Sequence, residues 1–272
     1  MTLTSGEGQP AVKYVAIART RLMGSLMYDR DVIVRSIFML VVLVTFVQLW
    51  TTTYAAVQQP IISGFSLRDL VWYLVITEVV ALSTPRIAQV IDTEVRSGDV
   101  AYALARPYSY PLYHLASYWG ETLVRLPINA LVGSSVALIA VGLPPVTPLS
   151  GLAALVLTVG AITLKGSLEI LVGLTAFWVE DTQPAEWIYG KLVITVGGLF
   201  LPLDLFPDWL ASIARALPFA SIAYAPARIF VGFEWPVFAP LMLTQLTWLL
   251  VCWGLVNLIF SRASRRLVAH GG

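Results

Sequence analysis

Among the charged residues within long apolar stretches, five stand out: Glu78, the pair Glu121 and Arg125, and the pair Lys165 and Glu169. Charge inside hydrocarbon is costly and marks an ion, proton or substrate path unless it is neutralised. Each i,i+4 spacing puts opposite charges on one helix face, so each pair can neutralise itself, and the two pairs could also meet across helices. Self-neutralisation is the plainer reading of the pairs. Glu78 has no partner in its own stretch and is the stronger functional candidate. Catalytic patterns are otherwise absent. Gly160 to Ser167 contains the letters of a phosphate loop, but Lys165 precedes Gly166 and no strand leads into it. Gly6-x-Gly8-x-x-Ala11 is equally weak. His114 and His270 are far apart and Cys252 is alone, which gives no metal site, disulfide or hydrolase centre.

The elements that must hold these charges are membrane helices. Hydrophobic residues make up 58% of the chain and charged ones 12%, against about 25% charged in soluble domains. A net charge of +1 argues against nucleic acid as a partner. Six spans are read: Val32 to Tyr54, Leu70 to Thr84, Tyr113 to Val141, Leu152 to Val179, Ile188 to Phe206 and Val237 to Phe260. They are continuously apolar rather than alternating, so the class is all-α and not a β-barrel. The chain divides into residues 1–31, a membrane domain over 32–260, and a tail over 261–272. The segment ahead of the first span carries acids as well as bases and no cleavage pattern follows, so the span is read as retained. With the N-terminus inside, the inner segments hold most of the Lys and Arg, so both ends are expected in the cytoplasm.

Three connecting regions stand out. Before the first span, Val12, Val15, Leu22 and Leu26 follow helical spacing, as in a helix lying along the membrane surface, although Arg19 intrudes. Ile91 to Pro107 is the densest polar island in the chain, within an inner segment over 85–110. On the outer side, residues 202–236 are too apolar for a free loop and too rich in proline for a span. There Trp209, Leu210, Ile213 and Leu217 share a helical face, and a pair of short helices dipping into the outer leaflet is expected. Gly133 and Ala137, with Ala130 and Ser134, suit close helix packing on the third span.

Glu94-x-Arg96-Ser97-Gly98-Asp99, followed by Leu104-Ala105-Arg106-Pro107, resembles the motif after the second helix of ABC-2-type permeases, in a branch long carried as a family of unknown function. Phe177-Trp178-Val179-Glu180 resembles that branch too. So does Gly198-Leu-Phe-Leu-Pro202-Leu-Asp204-Leu-Phe206-Pro207-x-Trp209-Leu210, continuing through Leu217-Pro218-Phe219 to Pro226 and Gly232. The resemblance spans roughly Leu70 to Gly232. It implies a type V exporter-like fold: six membrane helices, an N-terminal interfacial helix, a cytoplasmic coupling helix and short re-entrant helices before the last span. It also implies a membrane subunit that is no enzyme itself and carries no cofactor. ATP and Mg would sit on a separate ABC ATPase present in two copies, and a second permease, a related chain or another copy, would complete the pathway in the inner or cytoplasmic membrane.

On that resemblance Asp92, Glu94, Arg96, Gly98, Asp99 and Leu104 are expected to contact the ATPase. Pro202, Phe206, Trp209 and Phe219 are the candidates for an outer gate. The acidic loop from Glu180 to Glu186 departs from the family pattern and its part in ATPase contact stays open. An alternative is a proton-coupled secondary carrier with Glu78, Glu121 and Glu169 as a relay, and a third is a lipid-modifying enzyme, which lacks a nucleophile and base. The substrate and the choice between homodimer and heterodimer are left undetermined.

Overall fold

The computed structural model describes residues 10–25 and 29–270, with side chains over 12–25 and 33–265. The helices are α1 Pro10–Ser25, α2 Asp29–Val57, α3 Leu67–Leu82, α4 Ile87–Ser97, α5 Val100–Leu104, α6 Tyr110–Val141, α7 Pro148–Leu174, α8 Gln183–Thr195, α9 Asp208–Ala216, α10 Tyr224–Val231 and α11 Trp235–His270. No strand is present among the described residues beyond the isolated bridge Ile62 to Phe65. The boundaries follow local chemistry. Ser66 and Asp69 form a capping box at the start of α3, as do Thr147 and Ser150 at α7. Pro85, which cannot donate an N–H, separates α3 from α4, and Gly98 at φ +81° closes α4 in the left-handed conformation.

α3 is the centre of the bundle. Its most apolar window is 67% buried, against 17% for the windows of α2 and α11, so α3 is walled by protein while the other two lie at the outside of the bundle. Residues Leu70 to Val75 are all buried, which explains a span apolar on every side. Polar side chains tie the neighbours together: Ser36 of α2 donates to Asn129 of α6 at 3.0 Å, and Asn129 donates to Ser83 after α3 at 3.1 Å. Gly133 lets α6 close on α3, since a Cβ there would lie 3.0 Å from Val75.

Five stretches are long and apolar enough to cross a membrane, and the expected span over Ile188 to Phe206 is not among them. α8 has 13 residues, about 20 Å against a bilayer core of about 30 Å. Yet the chain must cross there. Gln245 of α11 donates to the Leu157 carbonyl of α7 at 3.0 Å, and Ile162 and Ile170 share a cluster with Val256, so α7 and α11 run parallel. Two consecutive parallel spans require a return between them. It is made by α8 and then by irregular backbone over Val196 to Leu201, where Gly198 takes φ +74° and Pro202 stops the helix from resuming. α3 satisfies the exposed carbonyls. The Tyr73 hydroxyl donates to Gly198, and Thr77 donates to Leu199 at 2.8 Å.

The two short helices expected before the last span are present. The Trp248 indole, midway along α11, donates to the Ala216 carbonyl at 2.9 Å, which places the end of α9 level with the middle of α11. α10 then returns, with Phe230 beside Trp72 at 6.0 Å, and Trp72 in turn donates to Gly142 at the end of α6. The shared face over Trp209 and Ile213 does not pack inward, however. Both are exposed, and Ala211 and Ala214 supply the buried side because small residues allow the close approach.

α1 lies against the first half of α6 at the same end of the bundle as α4. Ser109 donates to the Tyr14 hydroxyl at 3.0 Å and Arg21 to the Tyr113 hydroxyl at 3.1 Å. The face toward α6 is therefore Tyr14, Ala18 and Arg21, while Val12 and Val15 of the expected apolar stripe point outward; Leu26 lies outside the described residues. A Cβ at Gly120 would sit 2.3 Å from the Ala18 carbonyl oxygen. Gly120→Val should force α1 off α6 at a cost of about 1–3 kcal/mol. Hydrogen exchange is expected to accelerate over residues 12–25 while α7 and α11 stay protected; unchanged exchange in α1 would contradict this packing.

Candidate functional site

α4 and α5 form a short arm beside the bundle. Ile87, Ala88 and Ile91 bury one face of α4 on α7, and Gly173 makes the contact possible, since a Cβ there would come 2.9 Å from the Ile91 Cβ. The other face, Gln89, Val90, Thr93 and Ser97, is exposed. After Gly98, Val100 anchors α5 in the core and Tyr102 stands 75% exposed at the tip. Together α3 and α4 exceed the bilayer thickness, which leaves the amphipathic α4 outside the hydrocarbon.

The polar residues singled out on this arm divide into two groups. Asp99 is exposed and accepts from Ser97 at 2.7 Å, and Gly98 turns the chain. Arg96 is exposed but bound to Asp92 at 2.9 Å and to Asp181 at 3.2 Å. Glu94 turns inward, accepting from the Tyr110 hydroxyl at 2.7 Å and lying 3.1 Å from the His114 ring nitrogen. Burial pushes the Glu94 carboxyl up, but its contacts with His114 and the Tyr110 hydroxyl and the positive charge of Arg21 hold it below the ordinary carboxylate range. Leu104 is half-buried in the core around Tyr110. The acidic loop after α7 joins the arm, through Asp181 to Arg96 and through Glu186, which accepts from Gln89 at 3.0 Å.

Behind the arm, the charges on α7 do something other than cancel each other. Lys165 reaches to α3, donating to the Ala81 carbonyl at 2.9 Å and to the Thr84 hydroxyl. Glu169, one turn on, accepts the Ile87 N–H of α4 at 2.8 Å. A helix ends in unsatisfied carbonyls carrying partial negative charge and begins with unsatisfied N–H groups carrying partial positive charge. Lys165 therefore caps the end of α3 and Glu169 the start of α4, and one face of α7 clamps the elbow between them. Glu121 and Arg125 do pair with each other, at 3.3 Å.

Beside the clamp is a cavity of about 610 Å³, lined by Glu78, Lys165 and Glu169 together with Arg35, Arg86 and Glu186. Glu78 is 2% exposed, and its Oε1 has no hydrogen-bond partner among the described residues. Glu121 does not line this cavity, so the three carboxylates named as a relay are not assembled around it. No group of three or more His, Cys, Asp or Glu side chains able to hold a metal occurs among the described residues.

The outer-gate candidates do not converge. Pro202 is buried at the start of a turn, Phe206 is half-buried, Trp209 faces outward and Phe219 is half-buried, 6.4 Å from the Tyr189 ring. What holds the re-entrant helices is Asp204, a residue that reading the sequence passed over. It accepts from Arg215 at 3.0 Å and from the Tyr224 hydroxyl at 3.1 Å, with Arg228 at 3.9 Å. Tyr102, Thr84 and His114 were likewise missed as parts of the arm and its supports. The amphipathic pattern of Ile87 to Ser97 was the signal that could have found the exposed face, whereas the clamp partners are backbone groups, which carry no sequence signature.

Compared with known proteins, residues 38–271 match the family model described as "ABC-2 family transporter protein". No curated protein matches the chain. With an all-helical bundle of several membrane-crossing helices and a match across most of its length, the chain belongs to the ABC-2 transporter family and is a multi-pass transmembrane permease of an ABC transporter.

Proposed function

We propose that this permease is half of the translocation path of an ATP-driven exporter, coupled through α4 and α5 to a separate ABC ATPase subunit. The observation that carries this reading is the clamp: the exposed arm is held to α7 by Glu169, and Lys165 on the same face holds the end of α3. Movement of the arm is thereby passed to two spans that wall the cavity. The exposed face for the ATPase is Val90, Thr93, Ser97 and Tyr102, with Asp99 beside it, while Glu94 and the Asp92–Arg96–Asp181 chain stiffen the arm from behind.

The arm and α1 lie at the end that the distribution of Lys and Arg assigns to the cytoplasm, with both termini. The cavity reaches that end through Arg86, Gln89 and Glu186, and a cargo entering there is loaded for export. Two such permeases, alike or related, with two ATPases that bind ATP and Mg would form the working assembly. ATP binding closes the ATPases, draws the arm, and rocks α3 and α7 together. Coupling of this kind requires a different grip on the arm in the two nucleotide states.

Two substitutions test separate links. Tyr102→Asp should insert and fold normally yet reduce co-purification of the ATPase by about tenfold or more, as for a central aromatic contact; undiminished co-purification would remove α5 from the docking face. Glu169→Leu should keep the ATPase bound but break transmission. With Cys252→Ser as background, the maleimide labelling of Ile194→Cys in the cavity wall is expected to change with nucleotide in the parent assembly and to stop changing in Glu169→Leu. A nucleotide response that survives the loss of Glu169 would sink the clamp as the transmitting part.

A further inference from the structure

The cavity beside the clamp is polar on one side and apolar on the other, and its polar side is incompletely satisfied. Glu78 Oε1, Glu186 Oε1 and the Tyr189 hydroxyl line it without hydrogen-bond partners among the described residues. An ionised carboxylate only accepts hydrogen bonds, so a ligand meeting Glu78 and Glu186 must donate. The cations nearby are already committed. Lys165 is bound to Ala81 and Thr84, Arg35 has a partner of its own, and the charge of the exposed Arg86 acts on Glu169 and Glu186. Glu169 spends an oxygen on Ile87. Lys165 faces the same cavity with its ammonium hydrogen-bonded to Ala81 and Thr84 rather than to Glu78, so the buried hydrogen-bond acceptor left open at depth is Oε1 of Glu78, a residue 2% exposed.

The remaining wall is hydrocarbon and aromatic: Phe38 of α2, Leu199 and Phe200 in the irregular crossing, and Trp187, Val193 and Ile194 of α8. A volume of about 610 Å³ falls within the roughly 300–1,000 Å³ of sites for drug-sized molecules. We infer that this cavity binds an amphipathic organic amine, with its ammonium on Glu78 and its apolar body between α2 and α8. An ammonium supplies both the charge and the N–H donors that a desolvated carboxylate lacks. As a statement about cargo, the inference rests on the permease reading above; as a statement about binding, it stands without it.

The test uses the full chain in lipid nanodiscs, with empty discs as the partition control. The probe is dansylcadaverine, a primary alkylamine on an aromatic body, compared with its N-acetyl derivative, which keeps the body and loses the alkylammonium charge. The amine should bind about tenfold or more tightly than the acetylated form, and Glu78→Gln should bring the two together. Gly190→Leu, at a cavity-lining glycine whose Cβ would meet nothing within 4 Å, should weaken both by filling the space, and undiminished binding there would remove this cavity as the site even if Glu78→Gln does not insert. Equal binding of the two probes by the parent chain, an amine preference that survives Glu78→Gln, or displacement of the probe by dodecyl phosphate more readily than by dodecylamine would each overturn the inference. Because no ATPase is present, failure of binding leaves the coupling tests untouched, and failure of coupling leaves binding untouched.

Discussion

A chain that turns at the edge of a bilayer must find partners for the carbonyls and N–H groups that the turn frees, and here α7 provides them with two charges. Lys165 takes the end of α3 and Glu169 the start of α4. Within hydrocarbon an unmet backbone group costs several kcal/mol, so the elbow depends on this clamp and the arm beyond it depends on the elbow. The same charges would be a liability unpaired. By binding the two helix ends of opposite polarity they are satisfied without needing to meet each other, which leaves them free to respond to movement of α4 relative to α3.

The irregular crossing after α8 obeys the same constraint by another means. Gly197 and Gly198 break the helix, and Tyr73 and Thr77 of the buried α3 accept the burden of the freed carbonyls, while the Tyr224 N–H binds the carbonyl of Gly197. Both breaks in helical structure are thus served by spans in the protein interior, not by lipid-facing ones. α8 itself is lightly held, with Val193 its one buried residue among the described positions, and it forms a wall of the cavity. On the proposed function, such a lightly held wall beside the buried α3 is the part most easily shifted as access changes.

The class, the arm and the re-entrant helices were legible because each leaves a mark in composition: a polar island, a proline-rich apolar segment, continuous apolar runs. Helix α4 was readable from one apolar face over Ile87, Ala88 and Ile91. What the sequence hid were partnerships across distance. Glu94 has the spacing of a solvent-facing residue, yet Tyr110 and His114 fold over it. Lys165 and Glu169 have the spacing of an ion pair, and backbone groups of other helices outcompete that pairing. Ile188 to Phe206 has the composition of a span, but two glycines and Pro202 break it, and tertiary partners make the break tolerable. Backbone satisfaction is a property of the assembled bundle, so residue types could not announce it.

The placement of Glu78 gains meaning from its neighbours. It lines the same cavity as Lys165 and Glu169, so anything bound there changes the field in which the clamp operates. If an occupant favours one position of the elbow, the nucleotide-driven movement of the elbow must alter its affinity by the same factor, because coupling free energies are reciprocal. No separate relay between cargo and ATPase is then required. Ala88 and Gln89 of α4 themselves line the cavity beside Lys165 and Glu169, so cavity and arm are in direct contact and one turn of α7 touches both. A buried carboxyl oxygen without a donor, as at Glu78 Oε1, is costly in the empty protein, and on the proposed coupling that cost would be recovered when a donor arrives, biasing the elbow at the moment of loading.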